Sequence, residues 1–157
     1  MAKSVRTIID EFLAVSRFAM VGVSHDGKHF SRSLFKEFLK NGYEVVPVNP
    51  HAEQIAGFPA VPKVADIVPG VEQALIITPE SQTMSAVMEA HLSGVNRIWL
   101  YGISGEKDIQ SEVIEYCRQS DMEIVPGYCP FMFLPRAAFP HKIHGAVWKL
   151  IGLYPST

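Results

Sequence analysis

Gly22 and Ser24 stand at the end of a short apolar run, Phe18-Ala-Met-Val-Gly-Val-Ser24, and a segment with helical periodicity opens a few residues later at Ser31. Residues of these types at this spacing make a cradle for an anion. A glycine lets the backbone turn sharply, and the helix that follows offers free amide N–H groups and the positive end of its dipole. The expected ligand is therefore anionic, a nucleotide first of all. Polar and turn-forming residues recur where the other apolar runs end: His25 and Lys28 after the first, Asn49 and Pro50 after the second, Thr78 and Pro79 after the third, Gly102 after the fourth. Each fits ordinary turn chemistry on its own, because Gly, Pro, Asn and Ser dominate turns for conformational reasons. Their convergence on one rim is what points to a site.

The elements that must hold them can be read from hydrophobic periodicity. Val5, Ile8, Ile9, Phe12 and Leu13 form a helical stripe that leads into a strand over 18–23. Leu34, Phe35, Phe38 and Leu39 give a second stripe, stopped by Asn41-Gly42. Val45-Val46-Pro47-Val48 reads as a second strand whose proline points to a sheet edge or an irregular end. Ala74-Leu75-Ile76-Ile77 is the third strand, followed by a helix with Thr78 at the cap, Pro79 in the first turn and Glu80 near the positive dipole end. Met84, Val87, Met88, His91 and Leu92 are expected to supply its buried face. A strand over 98–101, a helix marked by Ile109, Val113, Ile114 and Cys117, and a strand over 123–125 complete the series. This alternation predicts an α/β fold, a doubly wound parallel sheet of Rossmann-like type, with its ligand beyond the carboxyl ends of the strands at the switch in winding direction.

Composition narrows the function. The 157 residues, 48% of them hydrophobic, suffice for one core and predict a single domain over 1–157, with 130–157 as a C-terminal extension. A net charge of -2 excludes a surface coated with nucleic-acid phosphates, which needs a basic excess. No apolar run has signal-peptide or bilayer-spanning length, so a cytoplasmic protein is expected. Cys117 and Cys129 belong to no Cys-x-x-Cys pair, and reduced thiols are expected.

A dinucleotide such as NAD meets a specific difficulty. Its fingerprint places Gly-x-Gly-x-x-Gly in the first turn and an acidic residue at the end of the second strand for the ribose hydroxyls. This chain has Gly22-Val-Ser24-His-Asp-Gly27 and Val48-Asn49-Pro50. Serine replaces one glycine, and Asn49 stands where the carboxylate belongs.

Val21-Gly-Val-Ser24, Gly42-Tyr-Glu-Val-Val-Pro-Val-Asn-Pro50, Thr78-Pro79, Ile98-Trp-Leu100 and Gly127-Tyr-Cys129 together resemble the stand-alone CoA-binding proteins, whose domain is shared with the N-terminal part of the succinyl-CoA synthetase alpha subunit. The resemblance runs from Phe18 to about Cys129, whose thiol it places accessibly near the ligand rim, and the Gly-Tyr…Val-Asn-Pro stretch is its specific part. It implies a Rossmann-like domain holding the ADP part of CoA or acyl-CoA. Gly22 and Ser24 would approach the diphosphate, and Ser31 and Arg32 would add donors. Asn49 and Pro50 would border the adenosine, and Thr78 and Pro79 would form the facing wall with Met84. The family often carries a basic residue after its Asn-Pro pair, toward the ribose 3′-phosphate. Here that residue is His51, with Lys28, Arg32 or Lys63 as alternative sources of charge.

No catalytic residue is assigned. The synthetase relatives use a phosphorylated histidine on a second domain for which this chain has no room. His91 reads as a packed residue. Cys129, His141 and His144 would suit a Cys-His pair or a metal site by side-chain chemistry, but a covering loop and docking helix is the simpler reading. Apolar residues at helical spacing over 141–154, with Phe131, Met132, Phe133 and Leu134 needing cover, raise a homodimer as a possible partner arrangement. Three functions stay open: a CoA or acyl-CoA binding or sensing module, an NAD(P)-linked enzyme or redox regulator, and an interaction subunit with a vestigial pocket.

Overall fold

A computed structural model describes residues 2–135. Helix α1 (Val5–Ala14) starts at Ser4, whose side chain accepts the Thr7 N–H at 3.1 Å, and it buries Ile8, Ile9 and Phe12. The chain then enters β1 (Arg17–Val21), α2 (Phe30–Lys40) and β2 (Glu44–Val48). After a two-stranded hairpin, β3 (Gln54–Ile55) and β4 (Phe58–Pro59), come β5 (Gln73–Ile76), α3 (Glu80–Leu92), β6 (Arg97–Tyr101), α4 (Ser111–Gln119) and β7 (Glu123–Tyr128).

Five strands form one sheet in the order β2-β1-β5-β6-β7, every pair parallel. Period-two alternation splits its side chains between two cores. Phe18, Met20, Leu75, Trp99 and Val125 pack with α1 and α2 on one face. Ala19, Val21, Ala74, Ile76, Ile98 and Leu100 pack with α3 and α4 on the other. The sheet is thus doubly wound, as the sequence predicts, and β2 with its Pro47 is an edge strand. The chain steps from β1 outward to β2, then crosses back to place β5 on the other side of β1. The carboxyl ends of β1 and β5 therefore flank the switch in winding direction, where such sheets leave a crevice.

Four expectations change. Helix α3 is capped by Pro79 without a side-chain hydrogen bond, so Thr78 lies outside it and its hydroxyl sits 3.1 Å from that of Thr83. The buried face of α3 is made by Val87 and Ala90, while Met88 is exposed and Leu92 is 83% exposed. Half-buried His91 meets the Tyr116 hydroxyl of α4, with Nδ1 2.9 Å from it. The β3–β4 hairpin went unread because its turn is Ala56-Gly57, both at positive φ, without the Asn or Asp that usually signals such a turn. Finally, Phe131 and Leu134 do not await a partner, since both are buried in the chain's own first core. His141, His144 and the 141–154 helix reading lie outside the described residues. Among the described residues, no helix is long and apolar enough to cross a membrane.

Candidate functional site

The crevice at the switch point is built by three strand ends. Gly22 follows β1 at φ 99°, and its N–H donates to the Val48 carbonyl at 3.1 Å, tying the exits of β1 and β2 together. On the other side, the Ile77 N–H donates to the Val21 carbonyl at 2.9 Å. A Cβ on Gly22 would lie 2.7 Å from the Ile77 carbonyl oxygen. Only glycine meets both demands, a left-handed backbone and a close approach to the neighbouring strand.

From Gly22 the chain runs to α2 through a loop held by its own polar groups. Ser24 Oγ accepts the Asp26 N–H at 3.0 Å, and Asp26 Oδ1 accepts the Lys28 N–H at 2.9 Å. The Ser24 N–H donates to Ser31 Oγ at 2.9 Å, and Ser31 is fully buried. His29 caps α2, its Nδ1 accepting the Ser31 N–H at 3.2 Å. Arg32 reaches back under the loop, donating from Nη1 to the His25 carbonyl at 2.8 Å, while its Nε is buried without a hydrogen-bond partner.

Across the crevice, Asn49 works as a strut. Its Nδ2 donates to the Val23 carbonyl at 2.9 Å, its Oδ1 accepts the His51 N–H at 2.7 Å, and its backbone N–H donates to the Val61 carbonyl at 2.9 Å. An aspartate here would lack the donor and would set a carboxylate oxygen against the Val23 carbonyl. The fold itself therefore uses the amide at the position where the dinucleotide fingerprint has an acidic residue.

The cleft enclosed by these elements has a volume of about 560 Å³, with Gly22, Ser24, Asn49, Pro50, Thr78 and Pro79 on its walls. These are six of the residues singled out from sequence. His29, Phe30, His51, Ile77, Gln82 and Tyr101 complete the lining. A second lobe of about 540 Å³ shares Gly22, Pro50, His51, Thr78 and Gln82 and extends past Val48 to Lys63 and Glu89. Glu89 is occupied within the fold, accepting the Val64 and Ala65 N–H groups at 3.2 and 3.0 Å. Another hollow of about 590 Å³ runs along α4 between Glu106 and Arg118, but it touches no strand end of the switch and no glycine turn.

The other sequence-selected residues stand elsewhere. His25 and Lys28 are exposed on the loop, outside the cleft lining. Ser31 and Arg32 shape the loop from behind, and Met84 packs against the core under α3, leaving its place on the wall to Gln82. Gly102 is buried against Gly127. Cys129 was expected near the ligand rim and is instead 2% exposed, in the first core. Burial pushes its thiol up to about 11, as it does that of Cys117. Tyr101 is pushed up to about 12, first by burial and then by the nearby Cys129 and Asp108, so its phenol keeps its proton and remains a donor at the cleft. His29 and Phe30 escaped sequence reading because His25 lay closer to the glycine turn. The signal that would have found His29 is a side-chain acceptor two residues before Ser31, the N-cap position. Among the described residues, no group of three or more His, Cys, Asp or Glu is arranged to hold a metal ion.

Comparison with known proteins adds the following. Residues 16–135 match the family model of a CoA binding domain. The chain is 27% identical over 129 residues to the alpha subunit of acetate–CoA ligase (ADP-forming) II of Pyrococcus furiosus, an alignment covering 78% of this chain and 28% of that subunit. Among solved structures, a hypothetical protein from Pyrococcus horikoshii superposes with a TM-score of 0.70 at 24% identity, over 82% of this chain and 87% of that one. A dinucleotide-forming acetyl-coenzyme A synthetase of Ca. Korarchaeum cryptofilum, solved with phosphate and ADP, gives 0.62 at 23% identity, over 71% of this chain and 25% of that one. The structural likenesses establish the fold, and the chain spans 28% of the Pyrococcus furiosus subunit and 25% of the synthetase.

Proposed function

The chain belongs to the CoA binding domain family, and on that premise we propose that the switch-point cleft holds CoA or acyl-CoA by its ADP portion, as a binding or sensing module. One observation carries the reading: the cleft joins the Gly22-Ser24 turn, the exit of β2 and the start of α3 in one continuous hollow inside the matched region. Ser24 lies on that lining, and because its Oγ accepts from the Asp26 N–H, the hydroxyl proton is left to donate toward a diphosphate. Of the three alternative cations weighed for the ribose 3′-phosphate, Lys63 is the one that borders the cleft beside His51. Lys28 is exposed on the loop and is not part of the lining, and Arg32 is committed to loop carbonyls. The second lobe is thus the adenosine 3′-phosphate end.

A binding role is favoured over covalent catalysis because the accessible nucleophile expected at Cys129 is a buried thiol. An NAD-linked activity is disfavoured because the position of the ribose carboxylate is an amide that the fold uses. Cytoplasmic residence and a homodimer remain part of the proposal. Thermal-shift measurements against CoA, acetyl-CoA, NAD and NADP test it, since a ligand at 100 times its dissociation constant stabilises by about 2.7 kcal/mol. A shift with CoA or acetyl-CoA and none with the dinucleotides is expected, and the reverse pattern overturns it.

A further inference from the structure

The cap of α2 fixes which nitrogen of His29 carries the proton. Nδ1 lies 3.2 Å from the Ser31 backbone nitrogen and 2.8 Å from Ser31 Oγ. A backbone N–H can only donate, so Nδ1 is the bare acceptor of this ring. Ser31 Oγ in turn accepts the Ser24 N–H at 2.9 Å, which leaves its own proton to be given to Nδ1. The hydrogen bonds form a directed relay from Ser24 N–H through the Ser31 hydroxyl to His29 Nδ1. The neutral ring must then carry its proton on Nε2.

Nε2 is spoken for by no hydrogen-bond partner among the described residues, and His29 is exposed and lies on the cleft wall with Ser24. We infer that His29 is a ligand-binding residue, a neutral imidazole held in one tautomer by Ser31 so that Nε2–H donates to a phosphate oxygen of the bound nucleotide. The inference rests on the reading of the cleft as a CoA site and adds a residue and a protonation state to it. The relay has a further consequence: the Ser24 turn and the His29 donor are fixed to the same buried hydroxyl, so the two phosphate-facing groups keep one spacing. Ser31 acts as the positioning residue, without touching ligand.

The substitution that separates donor from cap is His29→Ser. Serine caps a helix about as well as any residue but is too short to reach across the cleft and adds no charge. The variant should melt within a few degrees of the parent and bind CoA roughly tenfold more weakly, the loss of one hydrogen bond to a charged group. His29→Asn, which caps and keeps an N–H donor, should restore part of the loss. Two-dimensional ¹⁵N spectra of the imidazole should show Nδ1 unprotonated in the free protein and Nε2 moving on saturation with CoA. A free-state ring protonated on Nδ1, or a folded His29→Ser protein that binds CoA as tightly as the parent, overturns the inference while leaving the CoA reading intact. Failure of the parent itself to bind CoA would overturn that reading, and this inference with it.

Discussion

Replacing Gly22 by alanine tests the geometry on which the site depends. Two costs are separable. The backbone at φ 99° lies in the left-handed region, where a side chain costs about 1–2 kcal/mol. The new Cβ would also stand 2.7 Å from the Ile77 oxygen and 2.9 Å from its carbon. Both are backbone atoms of the adjoining strand exit, so relief requires the exits of β1 and β5 to part, and overpacking of this kind costs about 1–3 kcal/mol. The sum is about 2–5 kcal/mol, which in a domain of this size lowers the melting temperature by roughly 4–20 °C. Gly42 supplies the control, since it has φ 87° with nothing within 4 Å of where a Cβ would stand. Its alanine variant should show only the backbone cost, roughly 2–8 °C. Differential scanning calorimetry of the two variants measures the difference. If they melt together to within about 1 °C, the close approach at the switch point contributes nothing and the reasoning fails.

Asn49→Asp should lose about 1–3 kcal/mol of stability, the cost of leaving the Val23 carbonyl without its donor, and should gain no NAD affinity in calorimetry despite restoring the acidic fingerprint. Both cysteines should be inert to thiol reagents in the native protein near pH 8 and react together in denaturant, because burial pushes each thiol up to about 11. A fast native reaction, or a mixed disulfide with CoA, would contradict the placement of Cys129. Burial alone would raise Glu123, but hydrogen bonds from Lys3 and Arg97 and their charges outweigh it and hold its carboxyl below the ordinary 4.5. The stability it contributes is present above the ordinary carboxylate value and is lost as pH falls through the depressed one. Glu123→Gln should therefore flatten the acid limb of a stability-against-pH curve and leave its neutral shape unchanged.

The strands were legible because each is a short buried run whose alternate residues serve two cores, a pattern that Phe18, Ala19, Met20 and Val21 carry openly. The doubly wound parallel sheet followed from alternation with helices and Pro47 pointed to the edge, whereas the order of the strands is set by tertiary pairing that no local pattern carries. The turn residues Gly22, Ser24, Asn49, Pro50, Thr78 and Pro79 could be found because they occupy strand exits, a position fixed by local sequence. What stayed hidden depends on direction. Whether Ser31 faces ligand or core is decided by its place on α2, where it turns inward and becomes a strut. Met84 and Gln82 are two residues apart on α3, about 200° around the helix axis, and the sequence alone does not say which one the cleft receives. The burial of Cys129 reflects a chain that folds back over the first core after β7, a tertiary choice that no local period encodes. Asn49 stands at the exit of β2, where its place in the sequence puts it, but its role as a strut stayed hidden, because a side chain that bridges Val23 and His51 leaves no trace in spacing.

Titration calorimetry of CoA into the parent protein and a Ser24→Asp variant addresses the central claim most directly. Ser24 lines the cleft beside the Gly22 turn, and a carboxylate there would face the diphosphate at short range. The parent should bind CoA at one site per chain, and the folded variant should bind at least about tenfold more weakly, because like charges meet in a confined site. Equal affinity for CoA in parent and variant, or tighter binding of NAD than of CoA by the parent, would contradict the account.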